Sequence, residues 1–343
     1  MMNRRVVLGS ALGAPALLRP MAARAQEVTL RLHHFLPAVS NVHRHFLQPW
    51  AQKVGTESGG RVRVQIFPSM QLGGAPPQLF DQAKDGVVDI VWTLPGNTPG
   101  RFPKIEVFEL PFVAHKRAAV NVKAVQEFYE TTLREEFRDV HPICVWGHDG
   151  GLIHSNRPVR TMEDMRGLKL RFPTRQNGEA LRALGAAPIG MPIPQVPEAI
   201  SQGAIDGAIV PWEVVPSIRL HELVRNHTEI PGSPTLYIAT FILAMNKAKY
   251  EGLSPEVKRV IDASSGQVAA EMAGKVWDEQ GPVVLEMVRR RNNTLITLAE
   301  DEVQRWRRTT QPVVDNWVNA TPGGGALLEQ ARALVTKFGQ GVA

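Results

Sequence analysis

The 343-residue chain has a single cysteine, Cys144. An intramolecular disulfide is therefore excluded, and stability outside the cytoplasm must come from an apolar core. Cys144 sits in the apolar run Ile143-Cys144-Val145-Trp146, where a thiol packs as a small inert hydrophobe. Beyond residue 25 no stretch is long and apolar enough to cross a bilayer. The chain also lacks a Gly-x-Ser-x-Gly elbow, a glycine-rich phosphate loop and paired carboxylates in a general-acid setting. Hydrolase and phosphoryl-transfer chemistry is left without its usual signatures. The hydrophobic fraction of 43% excludes a disordered chain and allows one large or two ordinary domains.

Excess charge of one sign is also scarcer than the formal +6 indicates. Residues 1–25 read as an export signal: Arg4 and Arg5 at the start, an apolar run from Val6 to Leu18, and the small-x-small end Ala23-Arg24-Ala25. The run is too short to span a membrane, although retention as an uncleaved anchor is the alternative. The paired arginines in Asn3-Arg4-Arg5-Val6-Val7-Leu8 fit the twin-arginine export route. This leader holds four arginines and no acid, so the mature charge is 6 − 4 = +2. Nucleic-acid binding is not implied. The clusters Arg289-Arg290-Arg291 and Arg305-Trp306-Arg307-Arg308 read as wet helix faces with aliphatic stems over apolar surface. His43-x-His45 has no evident third metal ligand and reads as exposed helix histidines. No metal or cofactor is expected.

What is present is a repeating strand-helix pattern. Val28–Leu32 alternates as a strand and ends at His33-His34-Phe35-Leu36-Pro37. A helix over Gln48–Val54, a strand over Val62–Phe67 and a helix over Pro76–Lys84 lead to Gly86-Val87-Val88-Asp89-Ile90-Val91-Trp92. This is the pattern of a parallel sheet covered by helices, in which ligands sit beyond the carboxyl ends of strands. Phe35 and Trp92 stand at such ends.

The pattern returns over 167–213. Gly167-Leu168-Lys169-Leu170-Arg171-Phe172-Pro173 is a short strand with Leu168, Leu170 and Phe172 on one face and Arg171 on the other. A helix follows, ending at Gly185. Then Gly203-Ala204-Ile205-Asp206 precedes the apolar strand that closes at Val210-Pro211-Trp212. Gly-x-x-Asp ahead of a buried strand thus occurs twice, which predicts two similar α/β lobes with a cleft between them. An arginine fork suits a carboxylate and a tryptophan supplies a flat apolar wall, so Arg171 and Trp212 are candidate holders of a small organic acid. Taken singly, an arginine at a strand end also fits a surface position, and a tryptophan fits a core.

Four stretches carry a wider likeness. They are Phe67-Pro68-Ser69-Met70-Gln71-Leu72-Gly73 with Gly86-Val87-Val88-Asp89; Phe108-Glu109-Leu110-Pro111-Phe112; Ser155-Asn156-Arg157-Pro158-Val159 with Met165–Pro173; and Leu184-Gly185-Ala186-Ala187-Pro188 through Gly203–Gly207. In order and spacing over about 27–325, the chain resembles the extracytoplasmic solute-binding proteins of tripartite ATP-independent periplasmic (TRAP) transporters, the DctP-like family. That resemblance implies an α/β, two-lobed periplasmic binding protein with a ligand cleft between lobes. Lobe I would comprise 26–148 plus 237–276, lobe II 149–236 plus 277–325, and 326–343 a C-terminal helix or tail. A long helix over Pro255–Arg291 would span both lobes, with Val257, Val260, Ile261, Val268, Ala269, Met272 and Val276 as its apolar stripe and Pro282 kinking or dividing it. It further implies a periplasmic receptor that closes on an organic acid and delivers it to a membrane permease. A monomer is expected, because no long exposed apolar stripe requires a partner.

The family's carboxylate-binding arginine falls on Arg171. Elsewhere the pocket departs from the pattern. The second arginine often found before the Ser-Asn of the lobe junction is absent from Gly150-Gly151-Leu152-Ile153-His154, a common asparagine is Val210, and the usual Glu and Tyr are Gln195 and Pro197. A polyhydroxylated ligand would leave polar groups unpaired at about 1–3 kcal/mol each. The expected ligand is therefore an apolar, aromatic or branched monocarboxylate held against Trp212, Phe35 and Trp92, with Gly151 and Val210 lining the site. Glu213 would meet a ligand group or form a salt bridge. Asp149, His148 and His154 would serve as hinge turn-formers. A dicarboxylate or 2-oxo acid, a two-lobed sensor of small acids, and a secreted enzyme using Asp149 or a histidine as base stay open at this point.

Overall fold

The structure, a computed structural model, describes residues 28–342. The leader read over 1–25 lies outside the described residues. Eleven strands form two sheets among the described residues. In chain order they are β1 (Val28–His33), β2 (Val62–Phe67), β3 (Ile90–Thr93), β4 (Val140–Gly147), β5 (Leu152–Ser155), β6 (Lys169–Phe172), β7 (Ala187–Gly190), β8 (Gly207–Val210), β9 (Asn226–Glu229), β10 (Thr240–Asn246) and β11 (Thr294–Thr297). One sheet has the order β2-β1-β3-β10-β4 and the other β11-β9-β5-β8-β6-β7. In each, the βαβ units give parallel pairs, β1 with β2 and β3, and β6 with β7 and β8. One strand in each sheet runs against its neighbours: β10 in the first sheet, β5 in the second. Strands β3, β8 and β10 are buried along their whole length, as strands covered by helices on both faces must be.

The internal echo seen in the sequence has one physical cause. Asp89 Oδ2 accepts the backbone N–H of Arg31 at 2.8 Å, and Asp206 Oδ2 accepts that of Lys169 at 2.9 Å. In each half the aspartate ties the turn before a buried strand to the neighbouring strand's backbone, as side-chain-to-backbone bonds of Asp do. The two sheets' strand ends are thereby set in the same way.

The chain crosses between the sheets in adjoining segments. His148 N–H donates to Ala239 O at 3.4 Å, Gly151 N–H to Tyr237 O at 3.2 Å, and Thr235 N–H to Ala114 O at 2.9 Å. These hydrogen bonds run beside one another where the sheets meet.

The helix expected over Pro255–Arg291 is two helices, Pro255–Ala263 and Gln267–Arg290. Gly266 separates them with φ +62° and ψ −136°, a conformation essentially closed to other residues, and its N–H is taken by Ile143 O at 2.7 Å. Pro282, expected to kink or divide the helix, lies inside the second one without ending it. Of the expected stripe, Ala269 and Val276 face inward, joined by Ala273 and Trp277, whereas Val268 is 47% exposed.

Candidate functional site

Between the sheets lies a cavity of about 580 Å³ including its mouth. Five of the seven residues expected at the site line it: Phe35, Trp92, Arg171, Val210 and Glu213. Trp212 and Gly151 do not.

Arg171 is the penultimate residue of β6, paired with Ala208 of β8 and Ile189 of β7. Strand alternation puts Leu170 into the core and Arg171 toward the cavity. Its Nε donates to Met191 O at 2.9 Å. Among the described residues no other hydrogen bond and no carboxylate meets this guanidinium, which is only 4% exposed. Desolvation pulls its pKa down to about 10, so it stays charged at neutral pH. A buried cation without a counter-ion is costly, and an anion arriving in the cavity removes that cost.

The walls are aromatic. Phe35 stacks on Trp92 with ring centroids 4.7 Å apart, Trp92 meets Phe241 at 5.7 Å, and Phe241 stacks on Trp277 at 5.5 Å. All four line the cavity, with Leu94, Ile193, Ile209 and Val214 completing its apolar surface. Three donors on this wall, Trp92 Nε1, Trp277 Nε1 and Tyr237 Oη, are buried without a partner among the described residues. Buried polar groups are normally hydrogen-bonded, so unpartnered donors around a cavity mark where a ligand's acceptors go.

Gly151 acts through Tyr237. A Cβ at position 151 would overlap the phenol ring of Tyr237. The missing side chain is what lets that ring reach the cavity. Trp212 fails to form the expected wall for a different reason. Pro211 is extended and Trp212 opens a 3₁₀ turn that presents Glu213 and Val214 to the cavity. The indole packs instead against His154 and His227, at 5.1 and 5.4 Å, and its N–H donates to Glu229 at 3.0 Å.

Glu213 forms no salt bridge among the described residues. Its Oε1 accepts Val42 N–H at 3.2 Å, and burial pushes its pKa up to about 8. His148, expected only as a turn former, lines the cavity. Its Nε2 accepts Ala239 N–H at 2.8 Å while Nδ1 donates to Asp149 O, which fixes a neutral tautomer, and burial lowers its pKa to about 4. His154 Nε2 donates to Val210 O at 3.2 Å, leaving its Nδ1 to accept from His227 at 2.7 Å. His43, expected to be exposed, is buried and bonds His34 at 2.9 Å, whereas His45 is exposed. No cluster of three or more metal-ligating side chains occurs among the described residues, and none of their helices is long and apolar enough to cross a membrane.

Sequence reasoning missed Tyr237, Phe241 and Trp277. Phe241 and Tyr237 come from the segment that returns to the first sheet, and no local pattern marks them as cleft residues. Trp277 could have been found, because it stands one position off the stripe that includes Val276.

The family model for bacterial extracellular solute-binding proteins, family 7, matches residues 32–320. A protein of Salmonella typhimurium called YiiZ is 30% identical over 69% of this chain and 71% of its own. The C4-dicarboxylate-binding periplasmic protein DctP of Rhodobacter capsulatus is 23% identical over 92% of this chain and 94% of its own. Among solved structures, a TRAP solute-binding protein from Rhodoferax ferrireducens T118 with copurified benzoate is 43% identical, has a TM-score of 0.89, and is matched over 92% of this chain and 100% of its own. A marine metagenome TRAP protein specific for aromatic acid ligands, bound to metahydroxyphenylacetate, is 41% identical with a TM-score of 0.89, over 91% and 99% of the two chains. A Bordetella bronchiseptica TRAP protein with bound mandelate is 28% identical with a TM-score of 0.83, over 90% and 99%.

Proposed function

The chain belongs to family 7 of the bacterial extracellular solute-binding proteins, the TRAP receptors for small organic acids, and on that premise we propose that its own ligand is a small aromatic monocarboxylate. The observation that carries this reading is the buried, unpaired Arg171 set in an aromatic box. One cation matches one carboxylate, and its two terminal nitrogens suit a bidentate pair. The Tyr237 hydroxyl, on the same cavity wall and without a hydrogen-bond partner among the described residues, offers a further donor to the same anion. Phe35, Trp92, Phe241 and Trp277 suit a flat ring by stacking. Among the described residues Arg171 is the only Lys or Arg on the cavity wall, so a second carboxylate would find no second cation there.

The lobe ranges 26–148 plus 237–276 and 149–236 plus 277–325 form part of this proposal. Strands β1–β4 with β10, and β5–β9 with β11, support it by their sheet membership. The helix Glu300–Ala320 starts against the second lobe's core through Val303 and Trp306 and ends near Pro103, to whose carbonyl Trp317 donates at 3.2 Å. Export by the 1–25 leader, work in the periplasm, a monomeric state, release of the acid unchanged and delivery to a TRAP permease complete the reading.

Native mass spectrometry of the mature protein, followed by calorimetry against benzoate, phenylacetate, mandelate, succinate and pyruvate, tests it. A copurified aromatic acid and tight binding of the aromatic members are expected. Tight succinate binding with no response to benzoate would overturn it.

A further inference from the structure

Glu213 takes no part in holding the ligand's carboxylate. Glu213 is 2% exposed and lines the same space as Arg171. Its Oε1 accepts Val42 N–H at 3.2 Å, and its backbone carbonyl accepts Asn41 Nδ2 at 2.9 Å. Both partners open the helical stretch that follows β1, so the residue is pinned from the opposite sheet's side. Among the described residues Oε2 has no hydrogen-bond partner, and no Lys, Arg or His forms an ion pair with Glu213.

Charge balance decides the state of this carboxyl. Arg171 contributes one positive charge to the cavity wall and the ligand's carboxylate removes it. An ionised Glu213 would then be a buried charge with no counter-ion, which burial disfavours strongly. The group is accordingly a neutral acid, in keeping with a pKa near 8. With Oε1 engaged as an acceptor, the proton sits on Oε2. That leaves an O–H donor at the cavity with no acceptor supplied by the protein.

We propose that Glu213 is a specificity-determining residue whose O–H reads a hydroxyl carried by the ligand away from its carboxylate, so that the preferred ligands are hydroxylated aromatic monocarboxylates. This rests on the aromatic-acid reading above. The ligand's carboxylate goes to Arg171, its ring to the aromatic walls, and its hydroxyl oxygen accepts from Glu213. Chemically close acids are separated in this way, because an unsubstituted ring leaves the buried donor unpaired. A second carboxylate in the hydroxyl's place would bring an uncompensated charge.

The test is calorimetry at pH 6.5 with benzoate, 3-hydroxybenzoate, 4-hydroxybenzoate, phenylacetate and 3-hydroxyphenylacetate on wild type, Glu213→Leu and Glu213→Gln. At least one hydroxylated acid should bind wild type about ten-fold or more tighter than its unsubstituted parent. Glu213→Leu should bring that ratio to about one. Glu213→Gln, which keeps an N–H donor, should keep part of it. If Glu213→Leu does not fold, Glu213→Met serves the same comparison. Equal affinities for parent and hydroxylated acids in wild type, or a ratio that survives Glu213→Leu, would overturn the assignment while leaving the aromatic-acid reading intact. Failure of every acid to bind wild type would overturn both.

Discussion

In the proposed receptor Arg171 is held ready for an anion at the expense of the empty protein. Its Nε bond to Met191 O fixes the side chain, and nothing among the described residues neutralises it. Arg171→Met should therefore remove ligand binding and also raise the melting temperature of the ligand-free protein, by about 2 °C or more. A fall in apo stability would mean that the guanidinium is satisfied in some other way. Gly151 is a second single-residue dependency. Gly151→Ala forces Tyr237 out of its place, with an overpacking cost of about 1–3 kcal/mol. Calorimetry on that variant should show weakened acid binding alongside a lowered melting temperature. At this scale the sequence was legible where chemistry and strand position coincide. Arg171 is the only arginine in its strand, one residue from a Pro stop, and its alternation with Leu170 fixes its face. Trp212 is turned away from the cavity because Pro211 and the turn after it decide which side chain faces inward, and there it is Glu213.

Secondary-structure elements were easier to read than the contacts between them. The Gly-x-x-Asp turns and period-two strands are local signals, and both echo in the two sheets through Asp89 and Asp206. The break at Gly266 was not legible, since glycine inside a helical stripe is compatible with an unbroken helix and only the acceptor Ile143 O, more than a hundred residues away, makes the break favourable. The contacts that carry pH sensitivity are also non-local. Glu109 lies at the end of the short helix Ile105–Glu109 and its Oε1 accepts both the N–H and the hydroxyl of Thr240, at 3.0 and 2.7 Å. Burial raises its pKa from 4.5 to about 7. Its protonated form is favoured by folding, so the associated stability is complete below the unfolded pKa and is lost as pH rises through about 7. Glu109→Gln keeps the acceptor for Thr240 and should flatten the fall in melting temperature between pH 5 and pH 8, measured by thermal denaturation. An unchanged slope would show that Glu109 is ionised in the folded protein.

For the whole molecule, histidines set the opposite limit. His34, His148 and His227 are buried neutral, with pKa values lowered to about 3, 4 and 4 by desolvation first of all. Each contributes stability that is present above the ordinary histidine value and is lost as pH falls from about 6.5 toward 4. Thermal denaturation should therefore find the apo protein losing stability steeply below about pH 6, and a flat acid limb would contradict these protonation states. His148 spans the crossing segments, binding Ala239 N–H on one side and Asp149 O on the other. Acid should thus loosen the junction of the two sheets. The two-lobed architecture and its cleft were legible from the repeated pattern together with the family resemblance. The chain's return through Tyr237 and Phe241 was not, because those residues meet Arg171 and Trp92 only in the folded molecule.

We propose that a buried Arg171, unpaired among the described residues and set in an aromatic box, selects an aromatic carboxylate. Isothermal titration of benzoate into ligand-stripped wild type and Arg171→Met, at pH 7 in parallel, tests it most directly. We predict one-to-one binding to wild type and an affinity at least about 100-fold lower in Arg171→Met, the loss expected when a desolvated charge pair is broken. Equal affinities in the two proteins would contradict it.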